Sequence, residues 1–137
     1  MKEKINIREV IDYWEQGAQN NFDTAKFLFK GRKYADCLFF CHLTLEKLLK
    51  AVVVRKTKTT APYIHDLRRL AELADIPLKT EQGEILDEIS IFNVAGRYPE
   101  EKLDFYKSYN QKPIAEKYLK ITSDLILWLK KKSVKKR

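Results

Sequence analysis

The segment YADCLFFCHLTLEKLLKAVVVR, residues 34–55, decides the fold. Tyr34, Cys37, Leu38, Cys41, Thr44, Leu45, Leu48 and Val52 recur at intervals of three and four, the spacing of a helix face turned toward a core. Phe39, Phe40, Leu43 and Val54 form a second face, so the apolar arc is wide. A helix at a protein surface needs only one stripe; a helix this apolar has to meet neighbours on two sides or another chain. Its polar exceptions are His42, Glu46, Lys47 and Lys50. The stretch predicts the central element of a helical bundle.

Upstream, Ile7, Val10, Ile11, Trp14, Ala18, Phe22, Ala25, Leu28 and Phe29 carry the same spacing and predict a helix over Ile7 to Lys30. Gly17 lies inside it, where it costs some helix stability and allows a close neighbour. Gly31-Arg32-Lys33 breaks it, with glycine expected in the left-handed conformation at the helix end. So short a turn makes the first two helices antiparallel neighbours. Downstream, KTKTTAPY (56–63) has no apolar period and reads as a loop. HDLRRLAELA (65–74) predicts a short helix with Asp66 at its start, where a carboxylate meets unpaired N–H groups, and Pro77 stops it. A fourth helix is expected from Thr80 to Ala95, ended by Gly96, and a last one from Pro113 to Lys132. Between these two, the stretch with Tyr98, Phe105, Tyr106 and Tyr109 reads as an aromatic-rich loop. No segment alternates as a strand does. The expected fold class is all-α: an up-and-down bundle of four main helices plus one short helix.

At 137 residues the chain is expected to form one domain, with a bundle over 1–129 and a basic tail over 130–137. That length buries a core without disulfides or metal. The opening MKEKINIREV carries charge through its first turns instead of a signal peptide's apolar centre, and no run of about 20 apolar residues is present. The expectations are a cytoplasmic location and no membrane contact. Six of the eight net positive charges sit in KKKSVKKR (130–137), so the remainder is near balance. Such a tail reads as a solvated end or as a contact to a nucleic-acid backbone. The two cysteines, Cys37 and Cys41, share the buried face of the central helix, where a thiol acts as a small hydrophobe.

Three groups of side chains have chemical potential. Glu46 and Lys50, four apart and beside Lys47, read as the polar edge of a largely buried helix or as a charged floor beneath a cleft. His65-Asp66 reads as a helix-entrance cap, or as a general base, since imidazole titrates near neutrality. Arg97-Tyr98-Pro99 places a guanidinium where the fourth helix is expected to end. There it can bond the last carbonyls, clamp a phosphate or carboxylate, or do both. No metal is expected: on an ideal helix His42 points about 100° away from Cys41, so the soft ligands do not converge. No cofactor motif is present.

In this order, Trp14, Ala18 and Asp23-x-Ala25, then Tyr34-Ala35, Glu46-Lys47-x-Leu49-Lys50-Ala51, His65-Asp66-Leu67 with Leu70, and Arg97-Tyr98-Pro99 resemble the HEPN family of higher-eukaryote and prokaryote nucleotide-binding domains. The resemblance runs from Ile7 to about Trp128. It implies an α-helical up-and-down bundle that commonly dimerises. Many members are paired with a minimal nucleotidyltransferase in toxin–antitoxin modules. Many are metal-independent ribonucleases in which an arginine is followed, after four to six residues, by a histidine. Arg97 matches the arginine. Lys102, Leu103 and Asp104 stand where the histidine would be, and no histidine follows His65. Proton transfer in RNA cleavage needs a group titrating near neutral pH. The resemblance therefore implies the non-nucleolytic branch, with no catalytic residue. The expected function is a homodimeric nucleotide- or partner-binding module using Arg97, Tyr98, Glu46, Lys47, Lys50, His65 and Asp66 toward a nucleotide or a nucleotidyltransferase. Its alternatives are a ribonuclease toxin with His65 or Lys102 as substitute base, and a dimerising structural adaptor.

Overall fold

The computed structural model describes residues 6–134, with side chains through 132. Helix α1 is Ile7–Lys30 and α2 is Tyr34–Thr57; α3 is Leu67–Leu73, α4 Thr80–Ser90, α5 Pro99–Tyr109 and α6 Lys112–Val134. No strand occurs among the described residues. None of these helices is long and apolar enough to cross a membrane.

Asn6 starts α1 by accepting the Glu9 N–H at 3.1 Å, satisfying one of the helix's unpaired donors. Ile11, Ala18 and Ala25, seven apart, are its buried seam. The two alanines leave room for α2 to approach closely. The end of α1 differs from the expectation in one residue. Gly31 keeps a negative φ and Arg32 takes the left-handed conformation at φ 63°. Lys33 N–H then reaches the Leu28 carbonyl at 2.8 Å and Arg32 N–H the Phe29 carbonyl at 3.0 Å, the paired bonds that close a helix end. Asp75, at φ 61°, closes α3 with the same pair of bonds, from Ile76 to Ala71 and from Asp75 to Glu72.

The central helix forms where the sequence placed it and runs two residues past the expected Arg55, so the loop read over 56–63 begins after Thr57. Fifteen of its 24 residues are buried, and it packs against each of the other five helices. Its own N-cap, Lys33, offers no side-chain acceptor. The Asn110 side chain, at the α5–α6 junction, supplies one to Ala35 N–H at 3.1 Å. The Tyr106 hydroxyl donates to Asp36 beside it, and this bond pushes the phenol up to about 12. The α5–α6 corner is thereby tied to the start of α2.

Two sequence expectations are corrected between residues 90 and 110. Helix α4 stops at Ser90 instead of Ala95, and the supposed aromatic loop is helix α5. The two changes have one cause. Phe92, 1% exposed, leaves the α4 axis to enter the core, where its ring lies 6.0 Å from Phe105, 5.4 Å from Tyr109 and 4.8 Å from Tyr118. Phe105 and Tyr109, four apart, need a helical backbone to face Phe92 together. Pro99 opens α5, and the Glu101 carboxylate accepts the Tyr98 N–H at 3.2 Å. Six helices occur among the described residues, where four and a short one were expected. The basic stretch 130–137 begins inside α6; residues 135–137 lie outside the described residues.

Candidate functional site

On α2, positions 42, 46 and 50 fall four apart and so stack on one side of the helix. They put His42, Glu46 and Lys50 on a side of α2 that is not solvated: relative exposures are 0%, 6% and 4%. The exposed-edge reading of Glu46 and Lys50 is therefore corrected. Lys50 Nζ lies 2.9 Å from Glu46 Oε2, both side chains nearly buried. The reason lies in the loop after α2, which returns His65 to the same carboxylate. His65 Nδ1 is 3.0 Å from Glu46 Oε2. His42 Nε2 is 3.0 Å from the His65 backbone carbonyl and 3.7 Å from Glu46 Oε1.

These contacts fix the protons. A carbonyl only accepts, so His42 carries its hydrogen on Nε2, and its Nδ1 is a buried acceptor without a partner. A carboxylate paired with Lys50 is an acceptor, so His65 donates from Nδ1 and its Nε2 is left as the basic atom. Burial pulls the Glu46 carboxyl upward, but hydrogen bonds from Lys50 and His65 outweigh it, and the net position is below the ordinary range. Burial lowers His42 beneath its ordinary 6.5; the His65 carbonyl and the Glu46 charge counter it only in part, and Lys50 adds to the lowering.

A pH dependence follows. Below pH 6.5 the unfolded chain binds a proton at His42 that the folded chain resists, so stability is complete above that value and is lost as pH falls. Glu46 adds a second loss further down, below the ordinary carboxylate value of 4.5. The urea midpoint is expected to decline already between about pH 7 and about pH 5.5. His42→Gln, whose amide can still donate to the His65 carbonyl, is expected to flatten that decline. An unchanged slope in the variant would mean that His42 is not the group responsible.

His65 has a second role in the architecture. Asp66 caps α3 by accepting the Arg69 N–H at 3.2 Å, and the Ser90 hydroxyl accepts the Leu67 N–H at 3.0 Å. The start of α3 therefore sits against the end of α4. The turn after α4 passes Gly96, at φ +80°, to Arg97. Arg97 Nη2 donates to the Ile91 carbonyl at 3.0 Å, the helix-end bond anticipated from its position. The result is an open pocket of about 380 Å³ bounded by His65, Asp66, Ser90, Asn93, Gly96 and Arg97.

The structure thus brings together Glu46, Lys50 and His65 by direct bonds, and His65, Asp66 and Arg97 around one pocket. It leaves out two of the residues singled out from sequence. Lys47 lies across Gly17 of α1, its Cδ 3.1 Å from where a glycine Cβ would stand. Tyr98 is 77% exposed at the start of α5 and does not line the pocket. Ser90, Asn93 and His42 join the site unanticipated. For His42 the signal was present, as polar residues four apart at positions 42, 46 and 50 of a helix with a wide apolar arc. Ser90 and Asn93 carried no signal, because their placement depends on where α4 ends. Among the described residues no three histidine, cysteine or acidic side chains converge as metal ligands do.

No curated protein and no solved structure matches the chain. The family model described as the HEPN domain matches residues 11–132, which takes in α1 through nearly all of α6 and every residue of the pocket. The chain belongs to the HEPN domain family.

Proposed function

We propose that this HEPN protein is a non-catalytic binding module, a homodimer working beside a minimal nucleotidyltransferase in a toxin–antitoxin-type system. Its ligand is a nucleotide whose phosphate is received at Arg97, beside His65. One observation carries the reading. Arg97, tied by a single Nη2 bond to Ile91, and His65, held from behind by Glu46, border the same open pocket. A guanidinium has N–H groups beyond that bond for a phosphate's several acceptor oxygens, and the His65 Nε2, with the Nδ1 hydrogen given to Glu46, accepts from a nucleotide hydroxyl. Asp66 is acidic in the same wall, but its Oδ1 is engaged with the Arg69 N–H. Isothermal titration with a panel of nucleoside mono- and triphosphates, alongside co-purification with an adjacent-gene nucleotidyltransferase, tests the proposal. Arg97→Ala is expected to weaken nucleotide binding about tenfold or more, as loss of a charged hydrogen bond does. Absence of both nucleotide binding and partner capture overturns the proposal.

A second reading is favoured by a specific contact. No histidine follows Arg97, yet His65, 32 positions upstream, borders Arg97's pocket with a carboxylate behind its Nδ1. That pairing is how an imidazole is oriented for proton transfer. Metal-free RNA cleavage by the purified protein, lost in both Arg97→Ala and His65→Ala, would replace the binding module with a ribonuclease.

A further inference from the structure

The Glu46 carboxylate faces two pockets through two donors. His65 borders the one described above. Lys50, which shares the same Oε2 atom, lines another, of about 440 Å³, between the start of α1 and the loop after α2. We propose that this second pocket binds a neutral planar ring bearing a carbonyl oxygen on its edge, the chemistry of an oxo-nucleobase or of nicotinamide.

Three aromatic side chains, Tyr13, Trp14 and Tyr63, line it. Tyr13 is 70% exposed and Tyr63 wholly exposed, so neither serves the core. The Tyr13 and Trp14 rings meet edge to face at 5.5 Å, which holds them as a fixed pair. Tyr63 is presented by a stiff turn: Pro62 precedes it, and the Ile64 N–H closes on the Pro62 carbonyl at 2.9 Å. Aromatic faces set around a cavity of this size are a stacking surface for a flat ring.

Lys50 supplies the polar selector. It is 4% exposed, with its Nζ 5.3 Å from the Trp14 ring centre and one N–H given to Glu46. An ammonium has three N–H groups, and among the described residues Glu46 is its only hydrogen-bonded acceptor. A donor therefore remains beside the aromatic wall. The charge balance defines what it takes. Glu46 already neutralises Lys50, and Glu9 stands in the pocket lining, so a full anion gains little there. A neutral carbonyl accepts a hydrogen bond without opposing Glu9. This site stands apart from the Arg97 pocket and does not depend on the phosphate reading.

The chain has two tryptophans, so Trp128→Phe leaves Trp14 as the sole reporter. Its fluorescence is titrated with uridine and, separately, with nicotinamide, neither of which carries phosphate. Saturable quenching by uridine alone identifies a base site, by nicotinamide alone a carboxamide site, and by both a site for the shared ring-carbonyl edge. In each case Tyr63→Ala is expected to weaken the ligand about tenfold, the effect of losing one stacking face. Because Tyr63 is wholly exposed, this variant retains the fold. Linear quenching without saturation by both compounds, or saturable quenching indifferent to Tyr63→Ala, overturns the proposal. Nucleotide binding that persists by calorimetry in that event leaves the Arg97 pocket standing on its own.

Discussion

Replacing Glu46 by alanine is expected to lower the unfolding free energy by about 3–5 kcal/mol, the cost of leaving a buried charge without its partner. Lys50 is 4% exposed and has Glu46 as its hydrogen-bonded acceptor at 2.9 Å; His65 loses the same acceptor. The contrast with a double variant isolates the cause. In Glu46→Leu/Lys50→Met both charges are gone and the volume is nearly kept, so most of the loss is expected to be recovered, since the pair's attraction no longer has to offset two desolvations. Urea denaturation at neutral pH reads both. A single variant that costs less than about 1 kcal/mol would place the pair in the class of solvated surface pairs and remove the physical basis for a fixed His65. The double variant also separates stability from function, because a folded protein without Glu46 has nothing holding the His65 ring from behind.

That pair shows where the sequence was legible and where it stopped. Glu46 and Lys50 are an obvious i,i+4 couple, and their attraction was readable. Their burial was not, because their surroundings come from elsewhere in the chain: Trp14 of α1 under Lys50, and His65, 19 residues beyond Glu46 across a loop without periodicity. Local signals did well elsewhere. The bounds of α1 match the expectation to the residue, since an apolar seam and a Gly-Arg-Lys break both act within a few positions. Asp66 caps α3 as expected for the same reason. Helix α5 was missed because only Phe105 among its residues is buried, so its stripe is too thin to give a period. The neighbourhood of Arg97 was not legible either, because the imidazole that borders it arrives from the loop before α3 and not from the residues that follow it in the chain.

Phe92→Ala is expected to cost about 3–5 kcal/mol, in the range for truncating a buried aromatic in a core that cannot collapse around the gap. Here collapse is opposed on three sides. Phe105 and Tyr109 come from one rigid helix and Tyr118 from another, with the Tyr118 hydroxyl held by Glu88 at 2.7 Å. Burial, then the Glu88 bond, pushes that phenol well above its usual range, so it stays a neutral donor and the cluster is not expected to loosen in mildly alkaline solution. The loss should not spread evenly. Helix α5 buries one side chain, Phe105, which meets the Phe92 ring as Tyr109 does, whereas α1 and α2 also pack on each other along their length. Amide exchange is therefore expected to accelerate most over residues 99–109 and over the turn that carries Arg97, with α1 and α2 protected nearly as before. The same variant is then expected to lose nucleotide affinity at the Arg97 pocket while remaining folded elsewhere, because the turn from Ile91 to Arg97 is held in place by the ring it has lost. Uniform acceleration across all six helices would instead mean that Phe92 supports the bundle as a whole, and Arg97 would owe its position to the Ile91 carbonyl alone.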